Sequence, residues 1–206
     1  MVTGLFRSDA RELLPCDGSA VLHDWVLGDS SWEPLIKGIT EETRWEQRSI
    51  VVFGREHPQP RLTAWHGDPG CAYTYSSVRM EPHPWTDRLA GLRDLCEEVA
   101  GAGFNSVLLN LYRDGNDAMG WHRDNEPELG HEPVIASLSL GEPRKFRFRH
   151  RTTRETVDTV LGPGSLVVMS GACQTHWEHS VPRQTRVSAP RINLTFRRIE
   201  QVQKRG

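Results

Sequence analysis

The sequence predicts an α+β protein with a double-sheet core, and three observations carry that prediction. Six β-rich runs crowd the stretch after residue 104, one amphipathic helical segment precedes them, and the first third alternates short strand-like runs with loops. So many strands in one stretch of chain suit a sandwich or a jelly roll, and periodicity alone does not choose between them.

In chain order, VVFG at 51–54 and TYSS at 74–77 read as short strands, while residues 1–45 carry no recognisable motif. The helix is predicted over 82–101. There Trp85, Leu89, Leu92, Cys96 and Val99 recur at spacings of three and four, with Asp87, Arg88, Asp94 and Glu97 off the stripe, and Gly101 and Gly103 stop it. The later strands are predicted at 105–113, 134–140, 144–150, 156–161, 165–169 and 191–198, separated by Gly, Pro and charged stretches.

At 206 residues, 37% hydrophobic and 25% charged, the chain reads as one soluble domain able to bury a sizeable core. The N-terminus lacks the apolar stretch of a secretory signal, and no run reaches membrane-spanning length. The four cysteines (Cys16, Cys71, Cys96, Cys173) are scattered without a CxxC, which fits a reducing, cytoplasmic compartment. The net charge of −2 hides an asymmetry: residues 1–139 hold 12 Lys and Arg against 22 Asp and Glu, residues 140–206 hold 13 against 5. A basic C-terminal third points either to an anionic partner on one face or to arginines on solvated strands.

Candidate chemistry begins at WHRDNE, residues 121–126. On an extended chain His122 and Asp124 share a side. With one more distant histidine they would complete the two-His-one-carboxylate set of a non-haem iron site; THWEHSVP offers His176 or His179. In RINLTFR, alternation sends Ile192, Leu194 and Phe196 to one side, and Arg191, Asn193, Thr195 and Arg197 to the other. Two arginine forks on one face suit a small dicarboxylate. Asn110 and Tyr112 share a face of the run that leads, through DGND, into WHRDNE.

Together these segments resemble a known family. NLYRDGNDAMGWHRDNE, PVIASLSLGEPRKFRFRH, GSLVVMSG, THWEHSVP and APRINLTFR occur in that order. The set is similar to the AlkB family of Fe(II)- and 2-oxoglutarate-dependent nucleic-acid demethylases, over roughly residues 50–199 and most closely to its DNA-repair branch. The resemblance implies a double-stranded β-helix (jelly-roll) core at about 101–199, with residues 46–100 forming a nucleotide-recognition lid and its supporting helix. It implies His122, Asp124 and His179 as the catalytic iron ligands, His179 because a small residue and then a proline follow it. Asn110, Tyr112, Arg191, Asn193, Thr195 and Arg197 would bind 2-oxoglutarate, Arg191 at the distal carboxylate and Arg197 near the metal-bound end. Tyr75, with Tyr73 close by, would stack on a flipped base; Phe53 would wedge into the duplex, Arg61 would lie near the base, and Glu126 would read its edge. Asn125 departs from the acidic residue that relatives often carry there, which leaves base preference open.

The implied reaction uses Fe(II), 2-oxoglutarate and O2 to demethylate 1-methyladenine- or 3-methylcytosine-type lesions in single- or double-stranded DNA, by a protein read as a monomer with no membrane association. The cationic side of KFRFRHR, with Arg147 and Arg149, is the expected phosphate contact. The alternatives are the same chemistry on RNA, a protein or a small molecule, and a binding module with a structural metal.

Overall fold

A computed structural model of the chain describes residues 10–28, 30–52, 55–71, 73–75 and 78–200. In chain order these hold β1 (Ala10–Glu12), β2 (Ser19–His23), α1 (Trp32–Glu42), β3 (Ser49–Val52), β4 (Arg55–Pro58), β5 (Leu62–Gly67), β6 (Tyr73–Tyr75), β7 (Val78–Met80) and α2 (Asp87–Ala100). Then follow β8 (Ser106–Tyr112), β9 (Met119–His122), β10 (Ile135–Gly141), β11 (Arg144–His150), β12 (Thr156–Leu161), β13 (Leu166–Ser170), α3 (Cys173–His176), β14 (Trp177–Val181) and β15 (Arg191–Arg197).

The six predicted later strands form as β8, β10, β11, β12, β13 and β15, each within about one residue of its expected ends. The predicted helix starts later, at Asp87. Pro82 and Pro84 keep the preceding chain extended, and Thr86 caps the helix by accepting the Leu89 amide on Oγ1 at 3.3 Å. Gly101, at φ 63°, closes it in the left-handed conformation. Trp85 stays outside the helix but stacks on Phe196 with centroids 6.5 Å apart.

An antiparallel sheet of order β1-β2-β13-β10-β15-β8-β5 faces a smaller one of order β12-β11-β14-β9. The large sheet buries both faces. Outward, Leu138, Leu140, Leu194 and Phe196 pack under Ile39 of α1 and Leu89, Leu92 and Cys96 of α2. Inward, Leu22, Ile135, Val167 and Met169 meet Phe146, Phe148, Trp177 and Val181 of the small sheet. This is the jelly-roll arrangement. The described part of the first 45 residues, a stretch unreadable in sequence, supplies β1 and β2 at one edge of the large sheet and α1 as a cover on β10. No helix among the described residues is long and apolar enough to cross a membrane.

Strand β15 lies between β10 and β8, and its sequence alternation is realised. Ile192, Leu194 and Phe196 join the helix-side core, while the opposite face turns toward the small sheet. On that second face Arg191, Asn193, Thr195 and Arg197 are all buried. Because Leu194 is fully enclosed at the centre of this layer, Leu194→Ala is expected to cost about 2–5 kcal/mol, checked by chemical denaturation.

Candidate metal and cosubstrate site

Strands β9 and β14 pair with His122 opposite His179, so the sheet register itself brings the two imidazoles together. Their ring centroids are 4.2 Å apart at an angle of 62°. Asp124 follows just past the end of β9, and one ligand atom from each of the three residues lies within 4.8 Å of the others. His176 is not part of this group; it sits in α3 with its ring stacked on His150.

Each member is held from behind. Nδ1 of His122 lies 2.9 Å from the Gly120 carbonyl oxygen, which can only accept, so Nδ1 carries the proton and the Nε2 lone pair is left for a metal. Phe146 stacks on His179 at 5.5 Å. The Asp124 carboxylate accepts from Arg197 Nη2 at 2.8 Å, and its backbone N–H donates to Gln174 Oε1 at 2.9 Å. Burial pushes His179 down to about 3, helped by the neighbouring His122, and burial likewise lowers His122. Burial alone would raise the Asp124 carboxyl, but Arg197, His179 and His122 hold it below its ordinary value. Two neutral imidazoles and one ionised carboxylate are the donor set for a divalent first-row metal with positions left open.

Beside the triad, a cleft of about 510 Å³, including its open mouth, is lined by Asn110 and Tyr112 of β8, Asn193, Thr195 and Arg197 of β15, and Arg61. Register explains the grouping: Asn193 lies opposite Asn110, and Arg191 opposite Tyr112. Hydrogen bonds fix the row, with Asn193 Nδ2 donating to Ser137 Oγ at 2.8 Å and Thr195 Oγ1 donating to Asn193 Oδ1 at 3.1 Å. Arg191 stands apart from the rest of this row. It lies outside the lining, beyond Tyr112, with its guanidinium 5.3 Å from that ring and Nη2 donating to Ser139 Oγ. Its Nε and Nη1 are buried without a hydrogen-bond partner among the described residues, and burial lowers it to about 10. A buried guanidinium with idle donors is an anion site awaiting its anion, so the row fits a dicarboxylate.

Of the expected lid residues, Arg61 does reach the cleft, and its Nε donates to Asn110 Oδ1 at 2.8 Å. Glu126 does not line it, although its Oε2 is buried without a hydrogen-bond partner among the described residues. Tyr73 and Tyr75 lie on β6, which pairs with β7; their side chains, like all of Phe53, fall outside the described residues.

The cationic strand face carries its own counter-ions. On β11, Phe146 and Phe148 do pack inward, but Arg147 donates to Asp158 at 2.7 Å and Arg149 to Glu178 at 2.7 Å. Both guanidiniums also lie over Trp121, at 5.6 and 4.2 Å from its ring centroid. Neighbouring strands thus supply a counter-ion to each of these arginines.

Sequence reasoning missed Arg144 and Gln174. Arg144 is 1% exposed and donates to the carbonyls of Asp114, Asp117 and Pro182, tying the approaches to β9 and β15 together. Neither residue has a local signal, because their partners lie tens of residues away.

The site agrees with what the chain is similar to. Residues 18–197 match the model of the 2OG-Fe(II) oxygenase superfamily. The mouse alpha-ketoglutarate-dependent dioxygenase alkB homolog 3 is 41% identical over 183 residues, covering 84% of this chain and 63% of that protein. This chain therefore spans less than two thirds of that relative's length. The bovine DNA oxidative demethylase ALKBH2 is 44% identical over 202 residues, covering 94% and 72%. Its mouse counterpart is 39% identical over 208 residues, covering 96% and 87%. A solved structure described as "The structure of OsALKBH1" matches with TM-score 0.62 over 91% of this chain and all of that one; at 14% identity it shares the fold alone.

If the three residues form one metal site, metal-depleted protein should bind a single Mn(II) or Co(II). His122→Ala and His179→Ala should each abolish that heat in calorimetry, with thermal unfolding little changed.

Proposed function

The chain belongs to the 2OG-Fe(II) oxygenase superfamily and to the AlkB family within it, and from that premise we propose that it is an oxidative demethylase of alkylated bases in DNA. The observation that carries this reading is one cleft holding both the His122, Asp124, His179 group and a row of carboxylate-binding side chains. A structural metal would need no such row.

In this reading His122, Asp124 and His179 hold Fe(II). With O2 and 2-oxoglutarate the iron supplies the oxidising power that places oxygen on an N-methyl carbon, the cosubstrate leaving as succinate and CO2 and the methyl group as formaldehyde. The chain's own residues bind and orient. Arg197 would meet the cosubstrate's metal-proximal end while also gripping Asp124, and Arg191, with Tyr112 against it, would take the distal carboxylate. Asn110, Asn193 and Thr195 would fix the slant between them. A base stacked in a duplex is out of reach of this cleft, so it enters flipped out or from a single strand, and a lesion that blocks pairing lowers that cost. Arg61 at the cleft would approach the base, with Tyr73, Tyr75 and Phe53 as its lid. Two relatives named DNA oxidative demethylases support DNA over RNA as the substrate.

The direct test reconstitutes the protein anaerobically with Fe(II) and 2-oxoglutarate, then adds air and a short DNA oligonucleotide bearing 1-methyladenine or 3-methylcytosine. Mass spectrometry should show loss of one methylene mass, absent in His122→Ala and Asp124→Ala. Intact oligonucleotide alongside steady succinate would overturn the substrate, and neither product from iron-loaded protein would overturn the enzyme. Arg191→Met, which removes a charged pair of donors, should weaken 2-oxoglutarate binding by about 1.5–3 kcal/mol, roughly ten- to hundredfold, in anaerobic titration.

A further inference from the structure

We propose that Gln174 is a positioning residue for the metal centre, its side-chain oxygen fixing the backbone of Asp124 so that the carboxylate stays in place whatever its oxygens are bonded to. The inference rests on the metal reading above. Asp124 lies beyond the last paired residue of β9, so no ladder hydrogen bond holds it. Its carboxylate contacts Arg197, but a metal would draw on the same oxygens. An anchor independent of the carboxylate is what remains, and the Asp124 N–H supplies it by donating to Gln174 Oε1 at 2.9 Å.

The orientation of that amide is fixed by chemistry, since only its oxygen can face a backbone N–H. Its Nε2 points to Met169 Sδ at 3.4 Å, a weak acceptor, so the bond to Asp124 is the stronger of the two. Gln174 is 3% exposed, and its backbone carbonyl also receives Arg123 Nη1 at 3.4 Å. It therefore grips two consecutive residues of the ligand loop. It sits in the single-turn helix α3, directly before β14, the strand that carries His179. One side chain thus couples the position of Asp124 to the element that delivers the third ligand.

Gln174→Leu keeps the shape of the side chain and removes the acceptor. It should weaken Mn(II) binding by about 10- to 100-fold, the usual cost of losing a partner that orients a metal ligand. In metal-free protein, NMR hydrogen exchange should accelerate at the Asp124 amide while β8 and β15 exchange as before. Gln174→Glu keeps an oxygen at the same reach and should recover most of the affinity. The proposal is overturned if the Leu variant binds Mn(II) like wild type, or if Leu and Glu lose affinity equally. Should the Leu variant not fold, Gln174→Asn, one methylene too short to span the gap, is judged by the same readouts. Wild-type protein that binds Mn(II) at the triad but leaves every methylated oligonucleotide intact would sink the substrate assignment and not this one. No Mn(II) binding at all would sink both.

Discussion

The contact on which the site depends is the ion pair between Arg197 and Asp124, 2.8 Å long with each side chain only 5% exposed. It joins β15, at the centre of the large sheet, to the ligand loop that runs on from the small sheet. Taking two charges out of water costs several kcal/mol per ion, and their attraction offsets that cost only when geometry is good. The pair therefore contributes more to position than to stability. It also sets the electrostatics of the cleft, holding Asp124 ionised where burial would otherwise favour its protonated form.

Burial of β15 on both faces follows from the two-sheet architecture and encloses part of the basic C-terminal third. Arg144, Arg191 and Arg197 all belong to the basic C-terminal third, yet each is at most 4% exposed. Arg147 and Arg149 are matched by Asp158 and Glu178 across strand pairs. Three of the thirteen basic residues of that third are thus interior, and two more pair with acids of the same stretch. Of the interior guanidiniums, Arg191 keeps Nε and Nη1 without a hydrogen-bond partner among the described residues, which suits a small anion.

How far the sequence could be read depended on whether a segment's signal was local. The strands β8, β10 to β13 and β15 were legible because their apolar residues alternate or run together against a core. Strands β9 and β14 were not assigned as strands, although His122 and His179 on them were identified. In MGWH and WEHSV an imidazole takes an inward place beside Met119, Trp177 and Val181, and runs this short with a histidine in the apolar row give little strand signal. The ordered motifs pointed to His122, Asp124 and His179, which the fold brings within 4.8 Å of one another, and to Asn110, Tyr112, Asn193, Thr195 and Arg197, which share the cleft beside them. Alternation gives the face of Arg191 and not its depth, which the fold sets behind Tyr112. The counter-ions of β11 were hidden for a related reason. Asp158 stands opposite Arg147, and Glu178 opposite Arg149, only once the register of three strands is known. Gln174 lies outside any pattern, since a hydrogen bond across about fifty residues of chain leaves no local trace.

Among the described residues, two groups of His, His and Asp bring ligand atoms within 4.8 Å of one another: His122, Asp124 and His179, and Asp17, His150 and His176. By residue type they are equivalent, and what lies behind one ring separates them. Nδ1 of His122 faces a carbonyl oxygen, which forces the proton onto Nδ1 and leaves the Nε2 lone pair free. Nδ1 of His150 faces the amides of Thr152 and Thr153 at 3.3 and 3.1 Å, which can only donate. Those amides need an acceptor at Nδ1, and Nε2 lies 3.3 Å from Asp17 Oδ2 without making a hydrogen bond to it. Binding a metal through that Nε2 would require both turn amides to lose their acceptor. The backbone atoms behind His122 and His150 thus set the two groups apart: one ring leaves Nε2 for a metal, the other commits Nδ1 to the turn after β11.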